Sequence, residues 1–541
     1  MAIRKRGDAI KARPAASADF SATRLQPGQR VPLVTIVRPP ALVYKWADAG
    51  PLTPPIGPAY LAASLRQAGI RVKVIDAIGE NPTQANELGN GLISQGLTSE
   101  ETVALVDPRT DVIGFSVMFS QDWLECRKTI RMVREKYSHM LIVVGGEHAT
   151  ALAEELIATC PEVDVCVSGE GEEAFVQLVK TFIGDGNLST VGAVTYRKDG
   201  KVLTTPPGSR IRNVDDIPRP AWDLVPIQAY LDLRLAYGVD LGRTIPMLAT
   251  RGCPYECTFC SSPLMWTTRY LMRKPEDVLD EIEGYMKTLN ATNFDFYDLT
   301  MVIKKDWILE FARMIKTRDL TFTWQLPSGT RSEALDDNVL RALFETGCRN
   351  ITYAPESGSE EELVRIKKRV DLDRMMESMK LATRHGLNIK TNIILGFPNQ
   401  TRRDIWKTVR FVFRMALAGV HDTGVSMFSP YPGTELFEEL QAKGVVPKPL
   451  DDRYYLRLSG YKDLTRSIAY SEHVSSKAIG VYRLLILLLF YGVQFAVRPQ
   501  RFVRLVANFV RARQDSRLDK SLRDMYNRVA PNQDPVQEAR R

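Results

Sequence analysis

The 541-residue sequence predicts an α/β protein: a doubly wound parallel sheet, then a partial (β/α)6 barrel, then a helical C-terminal extension. Three observations predict it. From Val31 to about residue 190, short β-branched runs alternate with stretches of helical spacing. The alternation restarts at Thr244 and repeats six times before residue 430, and the remaining residues, 431–541, read as helices. A chain of this length exceeds what one hydrophobic core serves, so several domains are expected.

In the first unit, residues 31–190, the strands are "VPLVTIV" (31–37), "RVKVIDA" (71–77), "DVIGFSVM" (111–118), "LIVVGG" (141–146) and "DVCVSG" (164–169). Helical stretches such as "IGPAYLAASLRQAG" and "WLECRKTIRMVREKY" separate them, with a polar Gly/Asn-rich connection up to about residue 100. Apolar strands separated by helices imply a parallel sheet covered on both faces. Ligands of such sheets sit outside the carboxyl ends of the strands. Here those ends read "RPP", "DAIGE", "SVMFSQ", "GGEH" and "SGEGEE". A hairpin-like stretch (193–205) and the Pro-bearing 214–226 are assigned to a linker, 191–243; Pro218 and Pro220 argue against regular structure there.

The barrel unit, 244–430, has strand-like runs at 244–250, 292–298, 321–326, 350–355, 388–396 and 422–428. In the first intervening helix Val278, Ile282 and Tyr285 fall on one face, and Lys287 lies near its C-terminal end, where a cation is favoured. Active sites of such barrels lie at the carboxyl mouths of the strands. The stretch "RGCPYECTFC" (251–260) sits at the first of those mouths.

The net charge of +8 resides at the chain ends. Residues 1–30, expected to be a basic solvated tail, carry seven Lys/Arg against two Asp/Glu, and residues 498–541 carry eleven against five. The middle is slightly acidic, which excludes the basic catalytic stripe of a nucleic-acid enzyme. No apolar stretch of signal-peptide kind follows the early arginines. Seven cysteines, an odd number, speak against a disulfide framework, and the cytoplasm is the expected compartment. Cys126, Cys160, Cys166 and Cys348 stand apart and read as reduced thiols.

Cys253, Cys257 and Cys260 fall within ten residues. A structural zinc site wants four protein ligands, no second CxxC occurs, and none of the five histidines is adjacent. A catalytic zinc held by three thiolates would be an unusual ligand set. A [4Fe–4S] cluster normally takes four thiolates. Three leave one iron free to bind a substrate or cofactor.

The pattern CxxxCxxC, with Phe259 before its last cysteine, resembles the defining motif of the radical S-adenosylmethionine (SAM) enzymes. The resemblance implies a [4Fe–4S] cluster on the three cysteines and SAM on its free iron. It extends downstream in order. "YDLT" (297–300) implies Asp298 as a SAM contact, and "SGTRSEAL" (328–335) implies Arg331 at the carboxylate side. "APESGSEE" (354–361) implies Glu356 and Ser357, "NIILGFPNQT" (392–401) implies Gly396 near adenine, and "FSPYPGTEL" (428–436) is similar to the end of the sixth strand.

The first unit resembles the Rossmann-like cobalamin-binding domain that precedes the barrel in one branch of that superfamily. The resemblance implies Ser116, Gly145, Gly146, His148, Gly169 and Gly171 as cobalamin contacts. A generic Rossmann-like domain is the alternative, but no GxGxxG follows the first strand, which disfavours NAD. The cobalt-ligating DxHxxG of many cobalamin domains is missing: "DAIGEN" (76–81) has no histidine. Either cobalamin binds without a protein histidine or the domain has lost it. His148 is expected beside the corrin as a loop residue.

The resemblance implies a cobalamin-dependent methyltransferase of unactivated carbon, with a ring-closing enzyme of the anaerobic magnesium-protoporphyrin ester cyclase kind as the alternative. It also implies a small-molecule or lipid-like substrate and an external electron donor of flavodoxin or ferredoxin type, with no nucleic-acid partner. In the extension, the uncharged run "LLILLLFYGVQFAV" (484–497) is short for a membrane span, and a basic amphipathic stretch follows it. A helical cap on the barrel is the expectation, and peripheral membrane contact through 484–513 is the alternative.

Overall fold

The computed structural model describes residues 31–47, 52–184, 186–208 and 210–529; the expected basic tail, 1–30, lies outside the described residues. The first sheet has seven strands: β1 (Leu33–Arg38), β2 (Arg71–Asp76), β3 (Val112–Ser116), β4 (Leu141–Gly145), β5 (Val165–Val167), β6 (Val194–Lys198) and β7 (Lys201–Thr204). Their spatial order is β7-β6-β5-β4-β3-β1-β2. β1 to β5 run parallel, and Val37 of β1 lies between Ile75 of β2 and Phe115 of β3. The order reverses at β1, so a crevice opens between the carboxyl ends of β1 and β3.

One expectation is corrected here. The hairpin assigned to the linker is β6–β7, which extends the first sheet antiparallel to β5. Asp199 and Gly200 both take positive φ, the two-residue turn that matches strand twist, and the hairpin covers the free edge of β5. The polar connection before residue 100 is not a plain loop. Leu92–Gln95 pairs with Ala41–Tyr44 on one side and Ala85–Gly89 on the other, in a separate antiparallel sheet.

The second sheet holds six parallel strands in sequential order: β8 (Thr244–Met247), β9 (Asn293–Phe296), β10 (Thr323–Thr330), β11 (Cys348–Glu356), β12 (Asn388–Leu395) and β13 (Asp422–Met427). Among the described residues β8 and β13 do not pair, so the barrel is partial. Register shifts interrupt β10 at Leu326–Gly329 and β11 at Tyr353–Glu356. Such irregularities re-aim side chains, and both lie toward carboxyl ends.

The extension does more than cap the barrel. Helix Asp452–Ser459 reaches the first domain, where Asp452 pairs with Arg127 at 2.7 Å. Helix Ser476–Val497 is 22 residues, longer than the uncharged run suggested, because Ser475 caps it early. By length and composition it could cross a membrane. Its inner face is nevertheless fixed to the barrel: buried Arg483 donates to the Val425 carbonyl at 2.8 Å, and Gln494 to that of Val420 at 2.9 Å.

Candidate functional site

A cavity of about 270 Å³ lies between the two carboxyl edges. Ser116, Gly145, Gly146, Gly169 and Gly171 all line it. Gly146 is obligatory: its φ is +105°, and a Cβ there would sit 2.4 Å from the Val117 carbonyl oxygen. Gly145 has open space instead, its nearest neighbour being Val167 O at 3.8 Å.

His148 is the exception. It belongs to the first turn of helix Glu147–Thr159, is buried, and does not line the cavity. Its Nδ1 meets Ser120 Oγ at 2.9 Å, and its ring lies against Trp123 and Tyr455. Burial pushes its pKa down to about 3. The expectation of a loop histidine is therefore corrected: the helix begins at Glu147, and the His148 ring faces Trp123 and Tyr455 at the interface with the extension.

The barrel supplies the opposite wall through Leu248, Thr250, Arg251, Gly252, Met265, Trp266, Tyr297 and Leu299. Thr250–Arg251 pair with Leu271–Met272, pinching off the loop that carries the three cysteines. Gly252, at φ +85°, begins that loop, and a Cβ there would strike the Arg269 carbonyl. Thr258 donates to Ile366 O at 3.1 Å and accepts from the Leu436 N–H at 3.0 Å, which ties the loop to both sides of the barrel mouth.

Cys253, Cys257 and Cys260 are half-buried, while the other four cysteines are buried. Burial raises the Cys257 thiol, opposed by Lys368 and Arg331. Burial also pushes Cys260 up to about 12, and Glu147, Cys257 and Cys253 add to it. The three thiols thus feel one another. Among the described residues no three His, Cys, Asp or Glu side chains are placed to hold one metal ion. A four-iron cluster takes its thiolates on separate irons, so they need not converge on one point.

The downstream residues divide into two kinds. Arg331 lies over the Tyr255 ring of the cysteine loop at 3.3 Å, and its buried Nη2 has no hydrogen-bond partner among the described residues. Glu356, at φ +63°, pairs with Lys368 at 3.0 Å. Phe259 packs on Phe397 with ring centroids 5.6 Å apart. These three border the loop. Asp298, Ser357 and Gly396 are occupied within the fold. Asp298 accepts hydrogen bonds from Ala249 N–H and the Thr250 hydroxyl, and burial lifts its pKa to about 6. Ser357 Oγ donates to Glu362, and the Gly396 N–H donates to Gln400, which itself donates to Glu362.

The sequence reasoning missed a charged junction between the domains. Buried Arg251, two residues before Cys253, pairs with Glu170 at 3.4 Å and Glu172 at 2.5 Å, and lies over the rings of Tyr60 and Trp266. Arg210 binds the other oxygen of Glu170 at 2.7 Å. Burial opposes the Arg251 charge, but Glu172 and Glu170 outweigh it and raise its pKa. The only signal in the sequence was the acidic "SGEGEE", which was read as a glycine loop.

Residues 46–179 match the B12 binding domain, and residues 247–412 match the radical SAM superfamily. The chain is a radical SAM protein with an N-terminal B12-binding domain. It is 28% identical to the uncharacterized methyltransferase PH0819 of Pyrococcus horikoshii, over 76% of this chain and 83% of the relative. It is 26% identical to the anaerobic magnesium-protoporphyrin IX monomethyl ester cyclase of Rubrivivax gelatinosus, over 72% and 67%. The radical SAM methyltransferase TsrM of Kitasatospora setae, solved with cobalamin and a [4Fe–4S] cluster bound, shares its fold. The TM-score is 0.59 at 17% identity, covering 78% of this chain and 76% of that one.

The residues fit these cofactors. The glycine edge of the B12-binding domain lets a flat ligand approach the backbone closely, and no histidine lines the cavity among the described residues. In the radical SAM domain, the unpartnered Nη2 of Arg331 suits a carboxylate beside the half-buried thiols.

Proposed function

We propose that this enzyme is a cobalamin-dependent radical SAM methyltransferase acting on a small molecule. One observation carries the reading: the start of the cysteine loop and the glycine edge of the B12-binding domain face one cavity from opposite walls, Gly252 on one and Gly169 on the other. A cluster-generated radical and a corrin-bound methyl group are the chemistry the cofactors supply when bound. The chain's own residues bind, orient and exclude water. Cys253, Cys257 and Cys260 hold the cluster; Arg331 holds the carboxylate of SAM, and Phe259 and Glu356 border it. Asp298 and Ser357 position the loops through the side-chain hydrogen bonds they make, and Gly396 does so through its N–H to Gln400. Ser116, Gly145, Gly146, Gly169 and Gly171 would seat the cobalamin.

The cyclase relative keeps the ring-closing reading as the second. Reconstitution under anaerobic conditions with iron, sulfide and hydroxocobalamin, then SAM and reductant, separates the two. Deoxyadenosine together with S-adenosylhomocysteine is the expected result. Deoxyadenosine alone, dependent on substrate, would move the assignment to the cyclase kind. An external flavodoxin- or ferredoxin-type donor, a cytoplasmic site of action, and bilayer contact through 484–513 complete the proposal.

A further inference from the structure

Helix Ser476–Val497 presents a second face to solvent. Val481, Leu484 and Leu488 recur at spacings of three and four, and are 66%, 51% and 73% exposed. Gly492 and Ala496 continue that stripe, so no charge interrupts it beyond Lys477. The next helix, Pro499–Val510, joins it through the Phe495–Phe502 ring contact at 5.4 Å. Its own outer face exposes Phe502, Val503 and Val510 at 51%, 66% and 79%. Two helices thus share one continuous apolar surface, far larger than singly scattered exposed apolar residues.

Charge decides what covers it. From Ser476 to Arg513 there are seven Lys/Arg and no Asp or Glu. Arg511 and Arg513 are exposed beside the apolar face, and Arg504, also exposed, pairs with Asp515 at 3.8 Å. A second copy of this surface would bring arginine against arginine, whereas an anionic lipid surface satisfies both the apolar face and its basic rim. The anchoring of the inner face decides orientation. Arg483 and Gln494 are bonded into the barrel backbone, so the helix cannot leave it to cross a bilayer without stranding a buried guanidinium. Arg498 and Arg501 donate to the carbonyls of Leu417 and Gly419, both at 3.0 Å, which fixes the second helix beside the first.

We infer that helices Ser476–Val497 and Pro499–Val510 form a pre-organised docking face on which the protein lies flat against an anionic bilayer. This stands independently of the reaction proposed above. The test is co-sedimentation of the full-length reconstituted protein with phosphatidylcholine vesicles, with and without phosphatidylglycerol. Binding is expected only with phosphatidylglycerol and is expected to weaken with salt. The double variant L488E/V503E is expected to bind about tenfold more weakly or worse, by loss of buried apolar area. Arg511→Ala should cost about fivefold, the contribution of one basic residue near the surface. An unchanged cluster absorbance and unfolding midpoint show that the variants remain folded. Should one misfold, the lipid and salt dependence of the unaltered protein still carries the test. Absence of phosphatidylglycerol-dependent binding overturns the inference, as does binding that survives both variants. A dimer in light scattering, abolished by L488E/V503E and formed without vesicle binding, assigns the surface to a second copy instead.

Discussion

The two sheets turn their carboxyl edges toward one cavity, yet they dress those edges differently. The first edge is glycine and apolar side chains, and its acidic pair Glu170 and Glu172 is consumed by Arg210 and Arg251. The second edge keeps open functional groups: three half-buried thiols and an Arg331 nitrogen without a partner among the described residues. An edge of glycines with its Glu170 and Glu172 already paired accepts a broad ligand by close approach of the backbone. A surface with unspent donors and thiols accepts a small charged one and a metal cluster. The difference lies in where each edge has already satisfied its polar groups.

The largest expected effect falls on the thiol side. Cys257→Ala should abolish the Fe–S absorbance and SAM cleavage; a variant that keeps both would sink the cluster assignment. Gly145→Leu tests the opposite edge. The open space at Gly145 admits a side chain without moving backbone, so the fold should survive while the side chain fills the cavity. Cobalamin retention after desalting should fall at least about tenfold, the order expected when a well-packed contact is lost. Fe–S absorbance should stay at the parent level, and if it falls alongside cobalamin the two edges are not separable.

Arg251 joins the edges. Arg251→Met leaves Glu170 and Glu172 short of a buried partner, which costs about 3–5 kcal/mol in comparable buried pairs. Chemical denaturation should show that loss, and Glu172→Gln made in the Arg251→Met background should recover part of it. No recovery would mean that ring packing, not charge, holds the junction.

The smallest effect is a pH dependence beneath the barrel. Asp295 accepts the Gly238 N–H at 2.7 Å, and burial lifts its pKa from 3.8 to about 6. Above pH 6 it is charged in both folded and unfolded states, and its burial costs stability. Between about 6 and 4 the folded state binds a proton that the unfolded state lacks, so its contribution improves as pH falls. Asp295→Asn should therefore gain most at pH 7, on the order of 2 kcal/mol, and lose that advantage by pH 4. A pH-independent difference between the two proteins would show that the carboxyl does not titrate there.

The β/α alternation, the two domains, the cysteine loop at the first barrel mouth and the glycines of the first edge were all legible in the sequence. Each depends on local chemistry: strand period, turn glycines, thiol spacing. His148 was misplaced because the helix that begins at Glu147 takes it from loop to core, and pattern reading does not fix a helix end to within a residue or two. The β6–β7 hairpin was misassigned because a strand pair reads the same whether it stands alone or completes an edge. Ser357 and Gly396 carry the expected residue types, but their hydrogen bonds run to Glu362 and Gln400, partners that only the packed loops bring near.

By itself, then, the sequence determined which residues are available for chemistry and on which strand ends they stand, because short-range spacing sets both. Only the tertiary structure decided which of them remain free. Whether a guanidinium is spent on a carboxylate, as at Arg251, or left with an open nitrogen, as at Arg331, depends on neighbours 38 to 81 residues away along the chain, from Arg369 to Glu170. No local pattern encodes that.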